Sequence, residues 1–177
     1  MGTNFAVQYI MQPILIFGVV FHFVMGFILE LKNKGARNIK YAKNNGGANS
    51  SWMSRNMILS GLVILAFMGL HFYDFWLPEL KIKFVDGDWS GVLEGETGLR
   101  YFTELQHKFV NPIRVAIYCV AFIFLSLHLL HGFSSAFQSI GANNKYTRAL
   151  SKFGMAYAIL IPLGFVVIAL FHHFNHC

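Results

Sequence analysis

Hydrophobic residues along this chain fall into four long runs that polar connections separate. The runs cover about residues 7–31, 56–77, 112–138 and 150–174. A helix needs roughly 20 apolar residues to cross a hydrocarbon core about 30 Å thick, and each run reaches that length. The pattern predicts an all-α fold, an integral membrane bundle of four transmembrane helices that forms a single membrane domain over residues 1–177.

The composition agrees with a chain that lies mostly in lipid. Hydrophobic residues make up 55% of the 177 residues and charged residues only 12%, about half of the roughly 25% found in soluble domains. The net charge of +6 is spread over the ends of the apolar runs, so we interpret it as a topology signal and expect no nucleic-acid partner. Cys119 lies mid-span and Cys177 ends the chain, which argues against a disulfide framework.

The polar connections differ in charge, and the difference predicts the side of the membrane that each one faces. Residues 32–55 carry six basic residues and no acid, and residues 139–152 carry three basic residues and no acid. Residues 78–111 carry six acids against four bases. Because cytoplasmic loops are enriched in Lys and Arg, the first and third connections are predicted to be cytoplasmic. We expect a multi-pass protein of the cell inner (cytoplasmic) membrane with both termini outside.

Six histidines lie within the apolar runs, where an ionisable side chain is costly and indicates function, and three of them, His22, His71 and His128, are candidate metal ligands. With a helical rise of about 1.5 Å per residue, His22 and His128 are both predicted to lie roughly 15–16 Å from the cytoplasmic edge. His71 comes out about 24 Å from that edge, near the outer surface. Two imidazoles at one depth on different helices can bind the iron of a haem between them.

Glycines lie four residues from His22 and His128, on the same helical faces as these histidines. They are Gly18, Gly26 and Gly132. Glycine leaves room for a cofactor beside the backbone, but small residues four apart also mediate helix packing in membranes, and such a histidine can simply hydrogen-bond a neighbouring helix. Haem b is favoured over zinc because no carboxylate or thiolate comes out at these depths, and no CxxCH motif exists for covalent attachment.

Four further residues are candidates for cofactor contacts. His131, one turn after His128, is interpreted as a hydrogen-bonding residue of the same site. Haem propionates need donors, and Ser54 and Arg55 lie at the inner end of the second run while Arg114 lies at the outer end of the third. A guanidinium group suits carboxylates, although interfacial anchoring accounts for either arginine equally well.

Several stretches, which together cover nearly the whole chain, carry a family resemblance. They are FGVVFHFVMGF, SSWMSRNMILSG, GLHFYDFW, LSLHLLHGFSSAFQSIG and KYTRALSKFGMAYAILIPLGF. They resemble the di-haem cytochrome b558 membrane-anchor subunit of succinate dehydrogenase and fumarate reductase. The resemblance implies five helices and two haems, with His22 and His128 at the inner haem and His71 at the outer one. The family's first helix, which supplies the partner of His71, has no counterpart here, so we expect a late start codon or a truncation.

The resemblance also implies a function. The chain would anchor a flavoprotein and an iron–sulfur subunit on the cytoplasmic face, perform no succinate chemistry itself, and pass electrons through one or two b haems to a membrane quinone, for which menaquinone is expected. Two alternatives stay open. One is the cytochrome b subunit of a formate dehydrogenase or hydrogenase, which four helices would suit, and the other is a haem-free membrane scaffold.

Overall fold

A computed structural model of the chain describes residues 4–36, 52–92, 99–142 and 144–175. Of these residues 86% are helical and none belongs to a β-strand. The all-α membrane bundle predicted from the apolar runs is therefore confirmed. Several residues that contribute to the charge pattern and the cysteine count lie outside the described residues: Arg37, Lys40, Lys43, Glu94, Glu96 and Cys177.

Within the described ranges, four helices are long and apolar enough to cross a membrane, which makes the chain a multi-pass membrane protein. They are α1 (Val7–Gly35), α3 (Met57–Phe84), α5 (Pro112–Ser139) and α6 (Thr147–Phe174). Two shorter helices, α2 (Trp52–Arg55) and α4 (Arg100–Phe109), precede α3 and α5. We name the end of the bundle where α1 ends and α3 begins the inner end, and the opposite end the outer end, after the sidedness predicted from charge.

Helix α3 continues to Phe84, well beyond residue 77, where the second apolar run was predicted to end. Pro78 lies inside it, at a place where proline normally removes a hydrogen bond and clashes with the preceding turn. The preceding turn, Phe72–Trp76, is π-helical, and the Leu77 N–H bonds to the Phe72 carbonyl. Because this wider turn shifts the hydrogen-bond register just before Pro78, the helix can run on.

Asn111 and Pro112 form the cap at which helix α5 begins. The Asn111 side-chain oxygen accepts hydrogen bonds from the N–H groups of Ile113 at 2.9 Å and Arg114 at 3.3 Å. Pro112 takes the first helical position, where its missing N–H costs little. The cap fixes the start of α5 and hence the depth at which His128 lies.

The core lies where α5 packs against α3, α4 and α6 toward the outer end. Its buried hydrophobic residues are Phe109, Val115, Tyr118, Phe122 and Ala169. Nearer the inner end, Gly154 of α6 packs tightly on α5, since a Cβ there would lie 3.0 Å from atoms of Phe133 and Phe137. Helix α5 is thus the central helix, and its position relative to α6 is fixed by close packing.

A buried ionic cluster, the outer cluster (Glu79, Lys83, Asp88, Arg100 and Tyr101), holds α4 against the end of α3. Arg100 donates to both Glu79 oxygens at 3.1 Å and to Asp88 at 2.7 Å. Tyr101 and Lys83 reach Glu79 at 2.7 and 2.8 Å. Hydrogen bonds to the Glu79 carboxylate raise the pKa of Arg100, which is 2% exposed. Charges this buried persist only when paired, so the cluster holds α4 against the end of α3.

Candidate functional site

A cavity of about 1010 Å³ separates α1 from α3 and α5 between mid-depth and the inner end. Helix α1 has no buried residue although it is long enough to span the membrane, because this space lies along the side of α1 that faces the bundle. Most of the lining is apolar, and a few polar side chains are gathered within it. The volume is at the upper end of the roughly 300–1,000 Å³ of small-molecule and cofactor sites, so the cavity has room for a cofactor.

His22 of α1 and His128 of α5 meet across this cavity. Their ring centres are 6.1 Å apart and their ring planes are 85° apart. His22 is exposed to the cavity and His128 is half-buried. The helical rise placed the two histidines at one depth, and the contact between their rings agrees with that placement.

The glycines beside His22 border open space. An added Cβ at Gly18 or Gly26 would meet nothing within 4 Å, and both residues line the cavity. Gly154, which does mediate helix packing, lies 3.0 Å from side chains of α5 in the same test. Of the two interpretations that the glycine spacing left open, the geometry favours room for a cofactor at Gly18 and Gly26.

The histidine pair fits a haem iron better than a zinc ion. A metal–imidazole bond is about 2 Å long and the ring centre lies about 1 Å beyond the nitrogen, so two imidazoles on opposite sides of one metal have centres roughly 6 Å apart. The observed distance is 6.1 Å. A porphyrin supplies four ligands and leaves two positions for histidine, whereas zinc takes at least three protein ligands. Among the described residues, no group of three His, Cys, Asp or Glu side chains could hold a metal ion.

A serine on α3, which the sequence analysis did not single out, contacts His128. Ser60 Oγ lies 3.0 Å from His128 Nδ1, and the Ser60 hydroxyl donates to the Met57 carbonyl at 2.9 Å. Ser60 is only 5% exposed. A serine in an apolar helix carries no signal by itself, so only the three-dimensional contact identifies it.

Polar side chains line the inner end of the cavity. Ser54 and His131, both predicted site residues, are among them, together with Asn33, Ser135 and Ser139. Hydroxyl, amide and imidazole groups can donate hydrogen bonds to an anionic substituent. Arg55 follows Ser54 at the end of α2, and its exposed side chain is not part of the cavity lining.

His71 lies apart from the cavity, in an aromatic environment near the outer end. Its ring centre is 5.8, 5.3 and 6.4 Å from those of Phe67, Phe75 and Tyr118. In the described part of the chain, its ring contacts no second histidine, and its buried Nδ1 has no hydrogen-bond partner. The described residues therefore offer one candidate ligand at this level, and the role of His71 at an outer haem stays a prediction from the resemblance.

Arg114 pairs with a carboxylate of the chain itself. Its Nη1 lies 3.1 Å from Oδ1 of Asp74, and the Tyr118 hydroxyl donates to Oδ2 of Asp74 at 3.0 Å. Lys108 approaches the same carboxylate at 3.9 Å. Asp74 is 0% exposed, and a carboxylate buried at membrane depth needs such partners. Asp74 was not predicted as a site residue because it lies within an apolar run and not in a connection, although its place one turn after His71 was a signal.

Comparison with known proteins yields no match. No family model matches the chain, and neither a curated protein nor a solved structure matches it at a significant level. The resemblance to the cytochrome b558 subunit therefore stays a prediction from sequence.

Proposed function

We propose that this chain is a haem-b-binding membrane subunit that passes electrons between an iron–sulfur protein at the inner face and a membrane quinone. The observation that supports it best is the His22–His128 pair, with ring centres 6.1 Å apart, in a glycine-lined cavity within the membrane span. The assignment to succinate dehydrogenase or fumarate reductase, with a flavoprotein as the further partner, rests on the sequence resemblance.

Each group at the site has a task in this proposal. His22 and His128 would hold the iron through one imidazole nitrogen each, and Gly18 and Gly26 leave room beside them. Haem supplies one-electron redox chemistry when bound. The apolar walls exclude water and thereby influence the reduction potential, while Ser54 and other polar groups at the inner end offer donors to propionates.

The charge at the inner end suits a soluble partner on that side. Described basic residues there are Lys32, Lys34, Arg55, Lys145, Arg148 and Lys152. Among the described residues, Glu30 is the only acid in the cavity lining, and it is paired with Lys34 at 3.1 Å. A positive surface attracts an acidic partner and speeds its association, and the cavity lies nearest to this surface.

The test is to purify the chain from native membranes in mild detergent, identify the proteins that accompany it, and record which donor reduces it. We expect a flavoprotein and an iron–sulfur protein, and a b-type absorbance that succinate or a quinol reduces. Reduction by formate or hydrogen, with succinate inert, would support the alternative oxidoreductase. Protein without haem would overturn the cytochrome proposal and leave a membrane scaffold.

A further inference from the structure

The hydrogen bond between Ser60 and His128 has a defined donor and a defined acceptor. The Ser60 hydroxyl has one hydrogen, and the geometry directs it to the Met57 carbonyl 2.9 Å away. The oxygen then has only lone pairs to offer to His128 Nδ1 at 3.0 Å. A hydrogen bond of this length therefore requires that Nδ1 carries the proton and donates it.

This direction assigns the tautomer of His128. A neutral imidazole has one N–H donor and one nitrogen with a lone pair. With the proton on Nδ1, the lone pair is on Nε2, and a metal binds a neutral histidine through the lone pair. The assignment follows from two consecutive hydrogen bonds. His128 donates to Ser60, and Ser60 donates to the Met57 carbonyl, so each donor has one acceptor.

Because Ser60 is buried, its hydrogen bond with His128 is protected from competition by water. Ser60 is 5% exposed, so water does not compete freely for its oxygen. A Cβ at Gly61, the next residue, would lie 3.7 Å from His128 Cε1, which is van der Waals contact, so α3 passes directly beside the histidine ring. Helix α3 thus holds the ring of His128 on one side while His22 of α1 meets it across the cavity.

We propose that Ser60 is a positioning residue that fixes the tautomer and orientation of His128 and lowers the reduction potential of the iron that His128 binds. A ligand histidine that donates its second N–H to an acceptor becomes more basic, and such partners tune the metal. A more basic ligand stabilises the ferric state, which is the more positively charged one. This inference rests on the proposed haem function and adds the residue that sets its potential.

The experiment is a spectroelectrochemical titration of the purified complex with Ser60→Ala, compared with wild type and with Ser60→Thr. We expect the midpoint potential in Ser60→Ala to rise by an amount that corresponds to about a tenfold change in the reduction equilibrium, or about 59 mV for one electron. Ser60→Thr keeps the hydroxyl and should restore most of the wild-type potential. Ser151→Ala, on the exposed face of α6, is the matched control and should leave the potential unchanged.

The outcomes separate this inference from the proposed function. Haem bound to Ser60→Ala with the wild-type potential would overturn the role of Ser60 while the cytochrome proposal stands. Wild-type protein that binds no haem would overturn both. If Ser60→Ala does not accumulate, Ser60→Cys, a similar-sized residue with a weaker acceptor, takes its place, and a rise in potential is again expected, whereas an unchanged potential overturns the inference.

Discussion

The histidines of the inner cavity and the histidine of the outer half of this bundle lie in opposite kinds of surroundings. Around His22 and His128 there is open space, glycine on α1, and a polar contact from Ser60. Around His71 there are aromatic rings, and Asp74 one turn away is fully buried among partners. One region leaves room for a ligand, and the other is filled by side chains of the chain itself.

The difference shows why an intramembrane histidine alone does not define a cofactor site. All three histidines carry the cost of an ionisable group in an apolar segment. Only His22 and His128 combine a second imidazole at a ligand distance with unfilled volume. In the outer half, the buried carboxylates of Glu79 and Asp74 are paired with Arg100 and Arg114, so these groups serve packing and the position of α4.

The largest expected effect is at the inner cavity, where filling the open space beside His22 should weaken haem binding. Gly18→Leu introduces a side chain into space where an added Cβ meets nothing within 4 Å. The apo chain should fold normally, while haem affinity should fall by roughly tenfold or more, as when the surroundings of a metal site are disturbed. Haem per chain is measured by absorbance. Gly164→Leu, also in open space but outside the cavity lining, is the control. Equal haem loss in both variants would contradict haem binding in the cavity.

In the outer half of the bundle, Arg100→Ala should destabilise the fold and leave the haem content unchanged. It leaves Glu79 buried without its bidentate partner, and breaking a buried ion pair costs about 3–5 kcal/mol. Denaturant unfolding in detergent micelles measures the loss, with exposed Lys81→Ala as the control. A large fall in haem content at unchanged stability would contradict the separation of the two regions.

A smaller loss of stability is expected from Tyr118→Phe, which removes one donor to the buried Asp74. A hydrogen bond to a charged group contributes about 1.5–3 kcal/mol, and Arg114 remains to pair with the carboxylate. The same unfolding measurement applies. Tyr157→Phe, at a ring that is 43% exposed, is the control, and equal effects of the two substitutions would show that the Asp74 contact contributes nothing.

The smallest effect is a pH dependence at Glu104 in α4. Burial raises the pKa of this carboxyl group, and nearby Glu79 adds to the rise. The folded state therefore binds the proton more tightly than the unfolded state, so this group's contribution to stability is full below the unfolded pKa and is lost as pH rises through the folded pKa.

Glu104→Gln removes the titrating group, so the variant does not lose stability at this position as pH rises. Its stability relative to wild type should therefore increase as pH rises above the unfolded pKa of glutamate, about 4.3. Thermal unfolding of both proteins across pH 4–8 measures the difference. A difference that stays constant across this range would show that Glu104 does not titrate differently in the folded state.

The spans and the histidine depths could be predicted from sequence because both depend on local, regular quantities. An apolar run of spanning length indicates a helix, and the helical rise fixes depth along parallel segments, which is why His22 and His128 were placed together. The contacts that define the site were not predictable, because Ser60 meets a residue 68 positions away and Asp74 one 44 positions away. The extension of α3 past Pro78 was also missed, since it depends on the π-helical turn before that proline.

The central claim is that this chain binds haem through His22 and His128. The most direct test is a pyridine haemochrome count of haem b per chain in wild type, His22→Ala, His128→Ala and His71→Ala, each purified with its partners. We predict one haem in wild type and in His71→Ala, and none in the other two variants. Loss of haem in His71→Ala with retention in His22→Ala would contradict the account.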